Sequence, residues 1–271
     1  MRAYLNGMTA GVAPPRSTHV RAKKTAITGW SPSSVRRHTS WLYSIDAESL
    51  GEHAEGFALT LTLRDCPASP DEWVNLLKRW MEAVMGDGAV RLHWVVEWQR
   101  RGVPHLHAAV YYPEPVRDHQ GVVAISQWLT RAEQWGPLLG AQHWDRIDGP
   151  IGWLQYLSKH AARGVRHYQR TGAPEGWART GRLWGHRGDW PAVEPARVEV
   201  PLEVYWRYRR LLRGWARGDA ARRMEWRRHA YSKRMLACPQ RGLSTVRGVN
   251  IWVPLDVSEQ LLALAAEQAG A

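Results

Sequence analysis

The stretch Trp94 to Tyr112, WVVEWQRRGVPHLHAAVYY, constrains the fold more than any other part of the chain. Leu92–Trp98 and Leu106–Tyr112 are rich in β-branched and aromatic residues, and Arg100, Arg101 and Gly102 supply a turn between them, so the segment reads as a β-hairpin. Side chains alternate along a strand, which sends His105 and His107 to one face and Leu106 to the other. Folding the hairpin back brings Glu97 roughly opposite His105, adding an oxygen ligand to two nitrogen ligands within reach of a single cation. A lone H-x-H pair is more often two ordinary strand residues than a metal site, and Glu97 at this position shifts that balance.

The elements around the hairpin follow from periodicity. Phe57 to Leu63 alternates apolar and polar residues as a half-buried strand with Thr60 and Thr62 on its polar side. Ser69-Pro70-Asp71-Glu72 forms a capping box with Pro at the first helical position, ahead of Trp73, Leu76, Leu77, Trp80, Met81 and Val84 at helical spacing. A second helix is marked by Trp128, Leu129, Ala132 and Trp135, and a weaker strand by Ala141 to Ile147. The order β-α-β-β-α-β predicts an α+β fold: an antiparallel sheet of about five strands with helices on one face. The other face, carrying Thr60, Thr62, Glu97, His105 and His107, is expected to be open for ligand.

Beyond the sheet, residues 150 to 163 predict a helix with Tyr156, Lys159, His160 and Arg163 on its polar side. Tyr156 and Lys159 share a face and can both reach one phosphate if the helix docks beside the cation. Ser34 to Ile45 fits a short helix turning Arg36 and Arg37 outward, with a flexible basic segment before it. Residues 164 to 200 show little helix or strand signal. Glu203 to Arg241 sets 12 Arg and Lys against Glu203, Asp219 and Glu225 and reads as a basic amphipathic helix. A strand-like piece at Val249 to Val253 and a helix from Ser258 to Gln268 follow. The expected division is a basic N-terminal segment (1–33), a central domain (34–190) and a basic, mainly helical C-terminal extension (191–271).

The formal charge is +12 and the pI near 10.2, which favours a polyanionic partner, nucleic acid first. An arginine-rich composition suits bidentate phosphate contacts and is equally produced by a GC-rich genome. Cys66 and Cys238 are isolated, so neither a disulfide framework nor a thiolate zinc site is indicated. No apolar run approaches the ~18 residues of a membrane span and no signal-peptide core is present, so a soluble protein of the bacterial cytoplasm is expected.

The run E-W-Q-R-R-G-V-P-H-L-H from Glu97 to His107, the later Y-L-S-K from Tyr156 to Lys159, and T-L-T at Thr60 to Thr62 together resemble the HUH endonucleases that initiate rolling-circle replication of plasmids and single-stranded DNA phages. The resemblance covers roughly Ser34 to Trp190, including G-R-L-W-G at Gly181 to Gly185. It implies a ferredoxin-like or RNA-recognition-motif-like palm. A tyrosine placed after the histidine motif resembles replication initiators and some transposases, whereas relaxases place it before. The smaller transposases lack a basic extension like this one, so the initiator is preferred. Where some phage-type initiators carry a second tyrosine four residues on, this chain has His160, which resembles the single-tyrosine type.

The resemblance implies that Tyr156 attacks a phosphodiester to leave a 5′-phosphotyrosyl link and a free 3′-hydroxyl, with Lys159 favouring the phenolate. Glu97, His105 and His107 would hold Mn²⁺ or Mg²⁺, zinc being the less favoured fit. The implied partner is single-stranded DNA at a replication origin, a hairpin in form, with host helicase and polymerase as further candidates. Three rival readings are an HUH transposase, a non-catalytic RNA-recognition-like binding module, and a hydrolytic metalloenzyme acting on a small substrate, which leaves the charge unexplained.

Overall fold

A computed structural model describes residues 1–10, 26–52, 54–114, 119–149, 153–154, 167–222 and 249–270. In chain order the elements are strands β1 (Arg2–Ala3) and β2 (Gly7–Ala10), helices α1 (Pro32–Ser44) and α2 (Ala47–Gly51), strand β3 (Ala54–Thr62), helix α3 (Pro70–Gly86), strands β4 (Arg91–Trp98) and β5 (Pro104–Pro113), and helix α4 (Gln120–Arg131). They continue through β6 (His143–Arg146), the short helix α5 (Tyr168–Thr171), β7 (Trp184–Gly188), β8 (Ala196–Arg197), α6 (Leu202–Arg222), β9 (Val249–Trp252) and α7 (Leu255–Gly270). The described residues divide into two compact units, one from Lys23–Leu42 and Asp46–Pro191, the other from Met1–Ala22, Tyr43–Ile45 and Ala192–Ala271.

The first unit is built on a five-stranded sheet in the order β6-β3-β5-β4-β7, antiparallel at every pairing. The four strands of the β-α-β-β-α-β run thus lie in the ferredoxin-like order, fourth-first-third-second, with β7 added at the edge. The hairpin closes through Gly102, whose φ of 78° lies in the left-handed region that a three-residue loop of this kind demands of its last position. The Arg101 guanidinium donates to the carbonyls of Leu63 and Arg64, tying the turn to the end of β3.

One sheet face carries Phe57, Leu59, Leu61, Leu92, Val96, Leu106 and Val110, all buried. Helices α3 and α4 pack there. Helix α3 starts where the capping box predicts: Ser69 Oγ accepts the Glu72 N–H at 3.2 Å, and Glu72 Oε2 accepts the Ala68 N–H at 2.9 Å. Trp128 of α4 stands edge-on to both Trp73 and Trp80 of α3, and its indole N–H donates to Thr62 O at 3.1 Å. Helix α4 begins at Gln120, earlier than the tryptophan spacing alone marks, because Gly121 lets it approach β3 and β6: a Cβ there would meet Trp144 and Phe57 at 3.0 Å or less.

The segment 164–200, read as loop, contributes α5 and the edge strand β7. WGHRG has no alternating pattern of its own, and it becomes a strand through register with β4, from Val95↔Trp184 to Arg91↔Gly188. Gly188 has a φ of 81°, and a Cβ there would lie 2.0 Å from Val90 O.

The second unit holds a four-stranded sheet, β8-β1-β2-β9, in which Gly7–Ala10 pairs antiparallel with Val249–Trp252. The described N-terminal residues are therefore strands, where the sequence reading has a flexible segment. Met8 and Ala10 join Val204, Tyr208, Leu212, Ile251 and Ala265 in one apolar core between this sheet and the helices α6 and α7. The Tyr208 hydroxyl and Ser258 Oγ share a hydrogen bond of 2.9 Å within it. No helix among the described residues is long and apolar enough to cross a membrane.

Candidate functional site

Strand register settles the arrangement of the hairpin side chains. Glu97 pairs with His105 and Val95 with His107 across β4 and β5, while Thr62 pairs with His105 and Thr60 with His107 across β3 and β5. Glu97, His105, His107, Thr60 and Thr62 therefore share the sheet face opposite α3 and α4. The imidazoles of His105 and His107 are T-shaped with centroids 4.4 Å apart, and His107 Nε2 lies 3.7 Å from Glu97 Oε2. Thr60 Oγ1 lies 3.3 Å from His107 Nδ1, a contact that steadies the ring and its tautomer.

This face is not open. Glu97 is 0 % and His107 5 % exposed, while Thr60, Thr62 and His105 are half-buried. The sequence reading misses the cover because it comes from residues with no strand or helix period of their own. Trp30, ahead of α1, donates its indole N–H to Val96 O at 3.1 Å. Arg170 of α5 lays its guanidinium on the Trp30 ring, 3.9 Å from the centroid, and approaches Glu97 Oε1 at 3.9 Å.

Further along the same face α1 docks through an aromatic cluster that sequence reasoning also misses. His38 Nε2 and His93 Nε2 are 3.0 Å apart and buried, so one ring donates and the other accepts. Trp41 stacks on His93 and on His186, each with centroids 4.6 Å apart, and Trp184 stacks on His38 at 4.7 Å. Burial, then the neighbouring His38 and His186, push the His93 pKa well below its ordinary value. The available signal is the alternation in LHWVVEW, which puts His93 on the Glu97 face.

Two imidazoles and a carboxylate on one face supply the nitrogen and oxygen donors that a divalent cation accepts, and in that respect the residues fit such an ion. Among the described residues, however, no three His, Cys, Asp or Glu side chains converge closely enough to hold a metal. The two oxygens of Glu97 face different neighbours, His107 and Arg170. Trp153 and Leu154 are helical and buried, at the start of the helix predicted over 150–163. Tyr156 and Lys159 lie outside the described residues.

Residues 56–161 match a family of replication-associated proteins, that of ORF2 and the phage gene 2 protein. The match runs from the strand bearing Thr60 through the hairpin to Lys159. The chain is 43 % identical over 276 residues to a putative replication protein of Xylella fastidiosa strain 9a5c, covering 98 % of this chain and 95 % of that one. It is 36 % identical over 259 residues to a replication-associated protein of Pseudomonas phage Pf3, covering 94 % and 92 % respectively. No solved structure matches the chain.

Proposed function

The chain belongs to the replication-associated protein family of ORF2 and the phage gene 2 protein, and on that premise we propose that it initiates rolling-circle replication by nicking and rejoining one DNA strand. The observation that carries this reading is the register of β4 with β5, which sets Glu97, His105 and His107 on one buried sheet face, upstream in the chain of the Tyr156–Lys159 motif.

Tyr156 is the proposed nucleophile. Its hydroxyl oxygen bonds to the scissile phosphorus and loses its proton, and the bond to the 3′-oxygen breaks. The products are a 5′-phosphotyrosyl link and a 3′-hydroxyl that a host polymerase can extend. The phenol, with an ordinary pKa of ~10, is mostly protonated at neutral pH, so a cation must favour its ionised form. Lys159, three residues on along a helical face, is the group assigned to that task. Glu97, His105 and His107 are the residues that would hold Mn²⁺ or Mg²⁺, which when bound supplies Lewis-acid polarisation of a non-bridging phosphate oxygen. Thr60 keeps His107 in the orientation and tautomer this requires. The substrate is single-stranded DNA at an origin, bound by arginine contacts to phosphates and by stacking on aromatic side chains.

Incubating the protein with single-stranded oligonucleotides from its replicon and Mn²⁺ should yield a covalent protein–DNA adduct on a denaturing gel. Tyr156→Phe should abolish the adduct, and a chelator should prevent its formation. An undiminished adduct in Tyr156→Phe would reject the nucleophile, and chelator-resistant cleavage would reject the metal.

A further inference from the structure

Arg170 has no part in the reaction just described, yet it occupies the centre of the site's wall. Its side chain is 0 % exposed, as is that of Glu97, and the two are 3.9 Å apart. Burying a guanidinium is costly unless something compensates its lost hydration. Here the compensation comes from the Trp30 face on one side and the Glu97 carboxylate on the other. Trp30 is itself fixed to Val96 O on β4, one residue before Glu97. The cation is held in place by the strand that carries the ligand.

A carboxylate that must ligate a divalent ion thus already faces a permanent cation. With both histidines neutral, Glu97 and Arg170 cancel, and a divalent ion entering alone would leave two uncompensated positive charges in a buried site. A DNA phosphate arriving with it would remove one of them. Without Arg170, the carboxylate alone would achieve the same reduction and the ion would need no phosphate. We propose that Arg170 is a positioning residue that holds Glu97 and weakens divalent-metal binding in the absence of DNA, so that metal and phosphodiester bind the site cooperatively. This rests on the reading of Glu97, His105 and His107 as metal ligands. By linkage the metal then tightens DNA binding by the same factor as DNA tightens metal binding.

The test is Mn²⁺ binding to the full chain, followed by the loss of the free-ion electron paramagnetic resonance signal, with and without a short single-stranded oligonucleotide whose own Mn²⁺ uptake is subtracted. Wild type should bind Mn²⁺ about tenfold more tightly with the oligonucleotide than without it, within the usual range of coupling between sites. Arg170→Gln should bind Mn²⁺ alone about tenfold more tightly than wild type and lose most of the oligonucleotide effect. Arg170→Lys, which retains a cation, should restore wild-type values. Equal Mn²⁺ affinity in wild type and a folded Arg170→Gln overturns the inference while leaving the metal site standing. Should Arg170→Gln not fold, the wild type alone decides, because Mn²⁺ affinity unchanged by the oligonucleotide overturns it. No Mn²⁺ binding by wild type, with or without DNA, removes the metal site and the inference together.

Discussion

Thr60 and Glu97 do different work for the same pair of imidazoles. Glu97 is a candidate ligand, whereas Thr60 fixes the ring of His107 through a contact of 3.3 Å between Oγ1 and Nδ1. Replacing Thr60 by Val preserves shape and removes the hydroxyl, so Mn²⁺ affinity is expected to fall by roughly tenfold or more, as when other partners that orient ligands are lost. A calorimetric titration checks this, and unchanged affinity would show that the threonine only packs. Glu97, His105 and His107 were legible in the sequence because strand alternation and hairpin pairing fix their shared face whatever surrounds them. Arg170 was not, since its partner Glu97 is 73 residues away and nothing in RHYQRTG announces a buried arginine.

At the scale of elements, α3 and α1 make a contrast. Helix α3 carries its own start signal, and removing the Ser69 hydroxyl in Ser69→Ala should cost about 1 kcal/mol, readable as a lower denaturation midpoint with unchanged slope. Its core partner matters more: Trp128→Ala empties the space between Trp73 and Trp80 and should cost about 3–5 kcal/mol. Helix α1 instead depends on what it docks against. His93 is held neutral there, its pKa well below the ordinary 6.5 through burial first and then His38 and His186. The unfolded chain takes up that proton near pH 6.5 and the folded chain only at lower pH, so this contribution is complete above pH 6.5 and declines as the pH falls below it. Thermal melts should therefore be flat between pH 7 and 8 and drop towards pH 5, and His93→Gln should flatten the drop. An unaltered slope in that variant would assign the effect to other groups.

Across the whole molecule the charge is the property most tied to a DNA partner. Arg210, Arg213 and Arg217 lie exposed along α6, near one another at helical spacing. If they contact phosphates, changing all three to Gln should lower the slope of log affinity against log salt by about two. Fluorescence anisotropy of a labelled oligonucleotide between low and physiological salt measures it, and an unchanged slope would make this a solvated face. The division into units shows where sequence reading stops at this scale. Gly7–Ala10 forms a sheet with Val249–Trp252, a pairing across some 240 residues that no local pattern encodes.

The sequence by itself determined the β-α-β-β-α-β order, the capped start of α3, the hairpin and the face on which Glu97, His105 and His107 stand. Those features depend on periods of two and 3.6 and on turn chemistry, which act between near neighbours. Only the tertiary structure decided that β7 would close the sheet edge, that the termini would share a sheet, and that Trp30, α1 and Arg170 would cover the ligand face. Each of these is a contact between distant segments whose own sequences are indifferent to it, and their geometry is set by burial and register rather than by propensity.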